Sequence, residues 1–378
     1  MKLVLVTNAS RTMREGGYNR KRMTAYAARV EELHICRPGR SSSVERIADN
    51  AWLHTFASPR PLRPFILYAK LVALLRRLGP GTVVSSQDPF MLGQVARAAG
   101  RKAGVPLHVQ VHVDYYNRAF RSERLSRRLL VPAAESVLNA AARIRVVSEK
   151  IATYCHLAFG VPADRIDTIP VSIDLQRFRD DPAAHADPEA TMMMRNLPFT
   201  HRILITSRLT AVKNLPLAIT MFQQVKAVLP GAGLVIAGAG DRKGELVALL
   251  REQGLEESVK LIPWTDNVPA LMRAADVFVM SSNYEGYGMT VVEASASGLP
   301  VVMTNVGAAG EFILNDVNGL IVPVSDAAAL ARAVIRILTE PDLAARLAQG
   351  GLEQAAKLPS FEDYCDRLVA SWQATLAE

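Results

Sequence analysis

No apolar run in this sequence approaches the roughly 18 to 20 residues that a membrane-spanning helix needs. The opening "MKLVLVTNAS" is too short for a signal peptide and lacks its small-residue cleavage pattern, so neither insertion nor export is expected. There are only three cysteines: Cys36, Cys155 and Cys365 are scattered and in no CxxC pair. That excludes a disulfide framework and a thiolate zinc cluster, and leaves buried thiols in a reducing cytoplasm as the expectation. Three signatures are missing as well. No GxGxxG, no GxxxxGK[ST] and no Asp-x-Asp occurs, which counts against a nicotinamide fingerprint, a P-loop and a metal-holding acidic pair. No short-period repeat or low-complexity tract appears, which removes solenoids and arrays.

What is present suits a soluble globular chain of two or more domains: 378 residues, 49% hydrophobic and 21% charged. The net charge of +8 is unevenly distributed. Residues 1–178 hold 28 Lys and Arg against 13 Asp and Glu, and the remainder holds 16 against 23. A basic first half is expected to face an anionic partner, the alternative being a plain solvated surface. In "YNRAFRSERLSRRLL", Arg118, Arg121, Arg124 and Arg128 fall on about one third of a helical circumference. Lys70, Arg76 and Arg77 lie opposite a stripe of Leu71, Leu74, Leu75 and Leu78. No nucleic-acid partner is expected, since no recognition motif or aromatic platform accompanies the basic residues.

Short β-branched runs alternate with helical patterns, the mark of parallel sheets with crossover helices. The first half gives five such strands, in "LVLVTNA", "AWLHTFAS", "TVVSSQD", "LHVQVHVD" and "RIRVVS". Residues 179–200 break the pattern with Pro, Ala and charge and read as a linker. The second half gives six more, in "ILITSRL", "GLVIAGAG", "VKLIP", "VFVMSS", "VVMTNVG" and "LIVPVS". The expected fold is α/β: two Rossmann-like doubly wound domains, 1–178 and 201–358, facing a central cleft.

Ligands of doubly wound sheets bind beyond the carboxyl ends of the strands, so the loops there carry the chemistry. Arg208 and Lys213 stand at a strand-to-helix junction and can converge on one anion, such as a diphosphate. Gly238 and Gly240 permit a tight turn and close approach of backbone to a ligand. In "NYEGYGMTVVEASASGLPVV", backbone N–H groups of Gly286, Tyr287, Gly288, Met289 and Thr290 open a helix and suit phosphate oxygens. Glu285 and Glu293 would repel a diphosphate unless they accept hydrogen bonds from hydroxyls attached to it. A nucleotide sugar carries hydroxyls at both ends, which assigns Glu293 to the ribose and Glu285 to the sugar being transferred.

At these residues the chain resembles the retaining glycosyltransferases of family 4, with the GT-B fold. The matching stretches are "SRLTAVKN", "AGAGDRKGEL", "NYEGYGMTVVEASASGLPVVMTNVGAAGEFI" and "NGLIVPVSD". The resemblance implies the same donor roles for Arg208, Lys213, Glu285 and Glu293, and places the loop around Pro263 and Trp264 near the base. It nominates His112, in "VQVHVD", as the histidine that points at the donor sugar, with His108 on the same strand face as the decoy. Gly16 and Gly17 match the glycine loop near the donor phosphates, although "REGGYNRKR" departs from the family's usual sequence. In "IPVSID", Val171 stands where the family usually has asparagine. The last segment, 359–378, is implied to be a helix returning to the first domain.

The expected activity is retaining, metal-independent sugar transfer from a UDP- or GDP-sugar co-substrate to a lipid-linked or other cell-envelope glycan. No separate cofactor is expected. The enzyme would be cytoplasmic, on the inner face of an anionic membrane. The same architecture also serves nucleotide-sugar 2-epimerases and non-catalytic nucleotide-sugar binding subunits.

Overall fold

The computed structural model describes all residues except 9–16, 124, 180–193, 195 and 378. The chain divides into two compact units, Met1–Ser172 with Pro359–Glu378, and Ile173–Leu358. This division falls six residues before the expected end of the first domain. Phe178 is buried in the second unit, and Arg177 donates to the Asp266 carbonyl there at 2.8 Å. Most of the expected linker lies outside the described residues, but its end is packed: the Phe199 ring occupies the space that a Cβ on Gly233 would need.

The first unit holds eight strands: β1 Lys2–Val6, β2 Glu32–Gly39, β3 Ser43–Ala48, β4 Ala51–Ala57, β5 Thr82–Ser86, β6 Leu107–Val111, β7 Arg143–Val146 and β8 Ile166–Thr168. Their order is β3-β4-β2-β1-β5-β6-β7-β8, all parallel except the β3–β4 edge pair. Three of them were not expected from the sequence. In β2, Glu32, His34 and Arg37 interrupt the apolar run, β3 is mostly polar, and β8 is only three residues long. The leucine stripe is as expected: helix Arg63–Leu78 buries Leu67, Leu71, Leu74, Leu75 and Leu78 and stops at Gly79 with φ 71°. The basic stripe is not. Helix Arg118–Ser122 ends before a second helix, Leu125–Asn139, begins, so the arginines do not share one helical face. Arg121 instead lies over the Tyr116 ring at 5.0 Å, Arg127 over Phe120 at 4.3 Å, and Arg124 falls outside the described residues.

The second unit holds β9 His201–Thr206, β10 Ala232–Ala237, β11 Val259–Ile262, β12 Val277–Met280, β13 Val301–Thr304 and β14 Leu320–Val322. All six expected strands form. They are parallel, in the order β11-β10-β9-β12-β13-β14, so the order reverses between β9 and β12. Sheets of this kind bind ligands beyond the strand ends at such a reversal.

The final helix, Phe361–Ala374, belongs to the first unit and starts with a capping box between Ser360 and Asp363. It buries Tyr364, Cys365, Leu368, Val369 and Trp372 among Leu3, Leu5, Tyr26 and Ile35. The Trp372 indole is 0% exposed and donates to Ser85 Oγ at 3.3 Å. Ser371 Oγ donates to Asp167 at 2.6 Å and meets His108 Nε2 at 3.1 Å. Replacing Trp372 by Ala should therefore cost about 3 to 5 kcal/mol, and Ser360→Ala about 1 kcal/mol. Urea unfolding of both variants checks this; an equally small loss for both would mean that the helix is not part of the core.

Candidate functional site

The loops after β9 and β12 lie side by side at the switch point and are tied across it. Asn283 N–H donates to the Val212 carbonyl, Ser281 Oγ to the Lys213 carbonyl and Asn214 Nδ2 to Asn283 Oδ1, each at 2.8 Å. These bonds present the Lys213 and Glu285 side chains to each other. Lys213 Nζ is 2.5 Å from Glu285 Oε1, which also accepts from Ser282 Oγ at 2.7 Å. The sequence reading gave Lys213 to a diphosphate and Glu285 to a sugar; without ligand they form one ion pair.

Beside this pair opens a cavity of about 460 Å³. Arg208, Lys213, Gly238, Trp264, Met289, Thr290 and Glu293 all line it. Seven expected residues thus share one space, while Gly240, Glu285, Gly286, Tyr287 and Gly288 are not among the residues that line it. Trp264 presents a largely exposed indole, 66% accessible, at the cavity. Helix Met289–Ala296 begins at Gly288, φ 91°, and its first N–H groups have no partners within the helix.

The glycines do more than the sequence reading gave them. A Cβ on Gly238 would lie 1.8 Å from the Ser207 carbonyl oxygen, and one on Gly240 2.1 Å from that of Leu209. Their bareness first lets the β9 and β10 loops touch, and only Gly238 then reaches the cavity. Gly307, φ 52°, does the same for the β12 loop, with the Tyr287 carbonyl oxygen 2.3 Å from its would-be Cβ and accepting from Ala308 N–H at 2.7 Å.

Glu293 is half-buried, and burial pushes its carboxyl up to about 7, with the Arg177 guanidinium partly opposing the shift. Arg177 also lines the cavity, as do Thr206 and Ser207, whose buried hydroxyls have no hydrogen-bond partner among the described residues. Sequence reasoning missed all three. Thr206 and Ser207 sit at a strand's carboxyl end immediately before Arg208, which was a usable signal; Arg177 had been assigned to the first domain.

In the first unit, His112 directly follows β6 and is partly exposed, with Nδ1 3.3 Å from Arg145 Nη1. His108 is fully buried in the Ser85 and Ser371 network. Gly17 caps helix Tyr18–Ala27 in an ordinary extended conformation, φ −75°, so it is not placed there for a special backbone angle. Gly16 lies outside the described residues.

Comparison with known proteins identifies the family and the fold. Residues 200–354 match the model of glycosyl transferases group 1, and residues 18–172 that of the glycosyl transferase 4-like domain. A GDP-mannose-dependent alpha-(1-6)-phosphatidylinositol monomannoside mannosyltransferase of Mycobacterium tuberculosis is 31% identical over 237 residues, 59% of this chain and 60% of that protein. Glycogen synthase of the same organism is 31% identical over 305 residues, 78% of this chain and 68% of that one. Anabaena HepE, solved with UDP-glucose, superposes with a TM-score of 0.78 at 18% identity, covering 98% of each chain. The fold is GT-B. The chain belongs to the group 1 glycosyl transferases, the family 4 type.

The raised carboxyl of Glu293 has a consequence for stability. Its folded value, about 7, exceeds the ordinary 4.5, so the native state holds the proton more tightly. Stability from this group is full below pH 4.5 and is lost as pH rises through 7. Glu293→Gln should therefore match the parent near pH 4 and be more stable by about 1 to 3 kcal/mol at pH 8. Melting curves of the ligand-free protein at both values check it; a parallel pH dependence in the two proteins would exclude a buried, raised carboxyl.

Proposed function

We propose that this protein transfers a sugar, with retention and without a metal ion, from a nucleoside-diphosphate sugar to a hydroxyl of a lipid-linked or other cell-envelope glycan. One observation carries this reading: Arg208, Lys213 and the opening turn of helix Met289–Ala296 share a cavity with the carboxylate of Glu293. Cations and helix N–H groups suit a diphosphate, and a carboxylate among them suits a ribose. The family membership and the UDP-glucose bound by HepE support the same donor class.

Cleavage of the donor leaves negative charge on the departing phosphate, and stabilising that charge is the largest demand. Arg208 is exposed and ready to meet it. Lys213 is held by Glu285 until a diphosphate arrives, and then serves both. Glu285, anchored by Ser282, is left with one oxygen for a hydroxyl of the transferred sugar. The acceptor attacks on the face that the leaving group vacates, and its proton passes to the leaving phosphate.

Arg208→Ala and Lys213→Ala should each lose about 2 to 4 kcal/mol of transition-state stabilisation, roughly 30- to 900-fold in rate. Glu293→Ala should mainly weaken nucleoside diphosphate binding, whereas Glu285→Ala and His112→Ala should mainly slow the chemical step. Thermal shifts with a panel of nucleotide sugars select the donor, and calorimetry with turnover assays separates the roles. Near-normal turnover in both cation variants would overturn the diphosphate assignment.

The acceptor reading rests on the basic first half and on relatives whose names include a phosphatidylinositol mannoside mannosyltransferase and a lipopolysaccharide core glycosyltransferase. Among the described residues no helix is long and apolar enough to cross a membrane. Helix Arg63–Leu78 exposes Lys70, Arg76 and Arg77, and near its start Leu62 and Phe65, 72% exposed, stand beside Arg60 and Arg63. Such a surface should bind phosphatidylglycerol vesicles at low salt and release them as salt rises. Co-sedimentation that persists undiminished in a Lys70, Arg76, Arg77 triple Ser variant would refute this placement.

A further inference from the structure

The side chain that meets His112 comes from the neighbouring strand. Gln110 in β6 pairs with Arg145 in β7, and His112 lies two residues beyond Gln110. Arg145 Nη1 approaches His112 Nδ1 to 3.3 Å. A guanidinium is a donor only and does not deprotonate in proteins, so the ring nitrogen facing it must offer a lone pair. The proton of the ring is thereby confined to Nε2.

Arg145 cannot swing away from this contact. It is fully buried, and its Nε and Nη2 have no hydrogen-bond partner among the described residues. Leaving buried guanidinium nitrogens unpaired is expensive, so a position that retains them calls for an explanation. A second guanidinium, Arg22 of helix Tyr18–Ala27, acts on the same ring, and its Nε is likewise buried and unpartnered. The groups that face both arginines are phenols, Tyr26 from that helix and Tyr364 from helix Phe361–Ala374. Burial holds Tyr26 well above the ordinary phenol range, so it brings no negative charge. Burial first, then Arg145 and Arg22, keeps the His112 imidazole well below its usual range.

We propose that Arg145 is a positioning residue for His112, fixing it as the neutral Nε2–H tautomer so that it acts as a hydrogen-bond donor and not as a proton-cycling base. Its use in catalysis rests on the transferase reading above; the tautomer does not. In that reaction Nε2–H serves as a hydrogen-bond donor to a substrate oxygen. The acceptor O–H bond breaks as its oxygen bonds the sugar carbon, the carbon–oxygen bond to phosphate breaks, and the proton goes to the phosphate oxygen. His112 keeps its own proton throughout.

The test uses the full chain with ¹⁵N-labelled histidine, without ligand, followed by long-range ¹H–¹⁵N spectra from pH 5 to 8. His112→Gln identifies the signal. We expect one neutral Nε2–H species that does not titrate in this range. Arg145→Met should mix the tautomers and bring a titration midpoint into the range, whereas Arg22→Gln should move the midpoint upward without changing the tautomer. An Nδ1–H form in the parent protein, or a midpoint near 6.5 as in a free imidazole, would overturn the proposal. If Arg145→Met does not fold, the parent spectrum and Arg22→Gln still decide. Because no donor or acceptor is present, a failure here is distinct from failure of the transferase reading.

Discussion

The reversal of strand order between β9 and β12 is the constraint on which the candidate site depends. It obliges two loops to lie side by side with no strand between them, and they stay so because backbone and amide groups bond across the gap. The Lys213–Glu285 pair closes that seam with charge. Such a pair is worth more as a positioner than as a source of stability, since desolvating both ions consumes most of their attraction. Glycine serves the same end at 238, 240 and 307, where any side chain would push one loop off its neighbour. The cavity is what remains when these loops are held together.

Burial shifts the ionisation of one group in each unit. In the second, Glu293 holds a proton near neutrality because burial outweighs the attraction of Arg177. A ligand hydroxyl that donates to the carboxylate would reverse that balance, so binding and proton release are coupled at this residue. In the first, burial and then two arginines without a carboxylate partner among the described residues keep His112 uncharged. One site is prepared to change its charge and the other to resist doing so.

The second sheet was legible in the sequence because all six of its strands are short, apolar and bounded by turn residues. The first was legible where strands run apolar, as in β1, β5 and β6, or alternate, as in β4. In β2 the charged and imidazole groups of Glu32 and His34 find partners in one another and in His54, contacts that no local pattern encodes. The donor-side residues could be gathered because chain order places them at strand ends. Their pairing could not: Lys213 with Glu285 spans 72 residues, and Arg177 joins the cavity from beyond an assumed boundary. The broken basic helix failed for a related reason, since an angular count assumes the continuity that 118–130 lacks.

The return of helix Phe361–Ala374 to the first unit also orders events during synthesis. The core around Leu3, Tyr26 and Ile35 waits for Trp372, which the ribosome supplies only after the whole second unit has emerged. At about 5 to 20 residues per second, that delay is on the order of 10 to 40 s. Through that interval the first unit would display an uncovered apolar face, a natural target for chaperones, while its partner is free to fold. The first unit's core is therefore completed only after the whole second unit has been made.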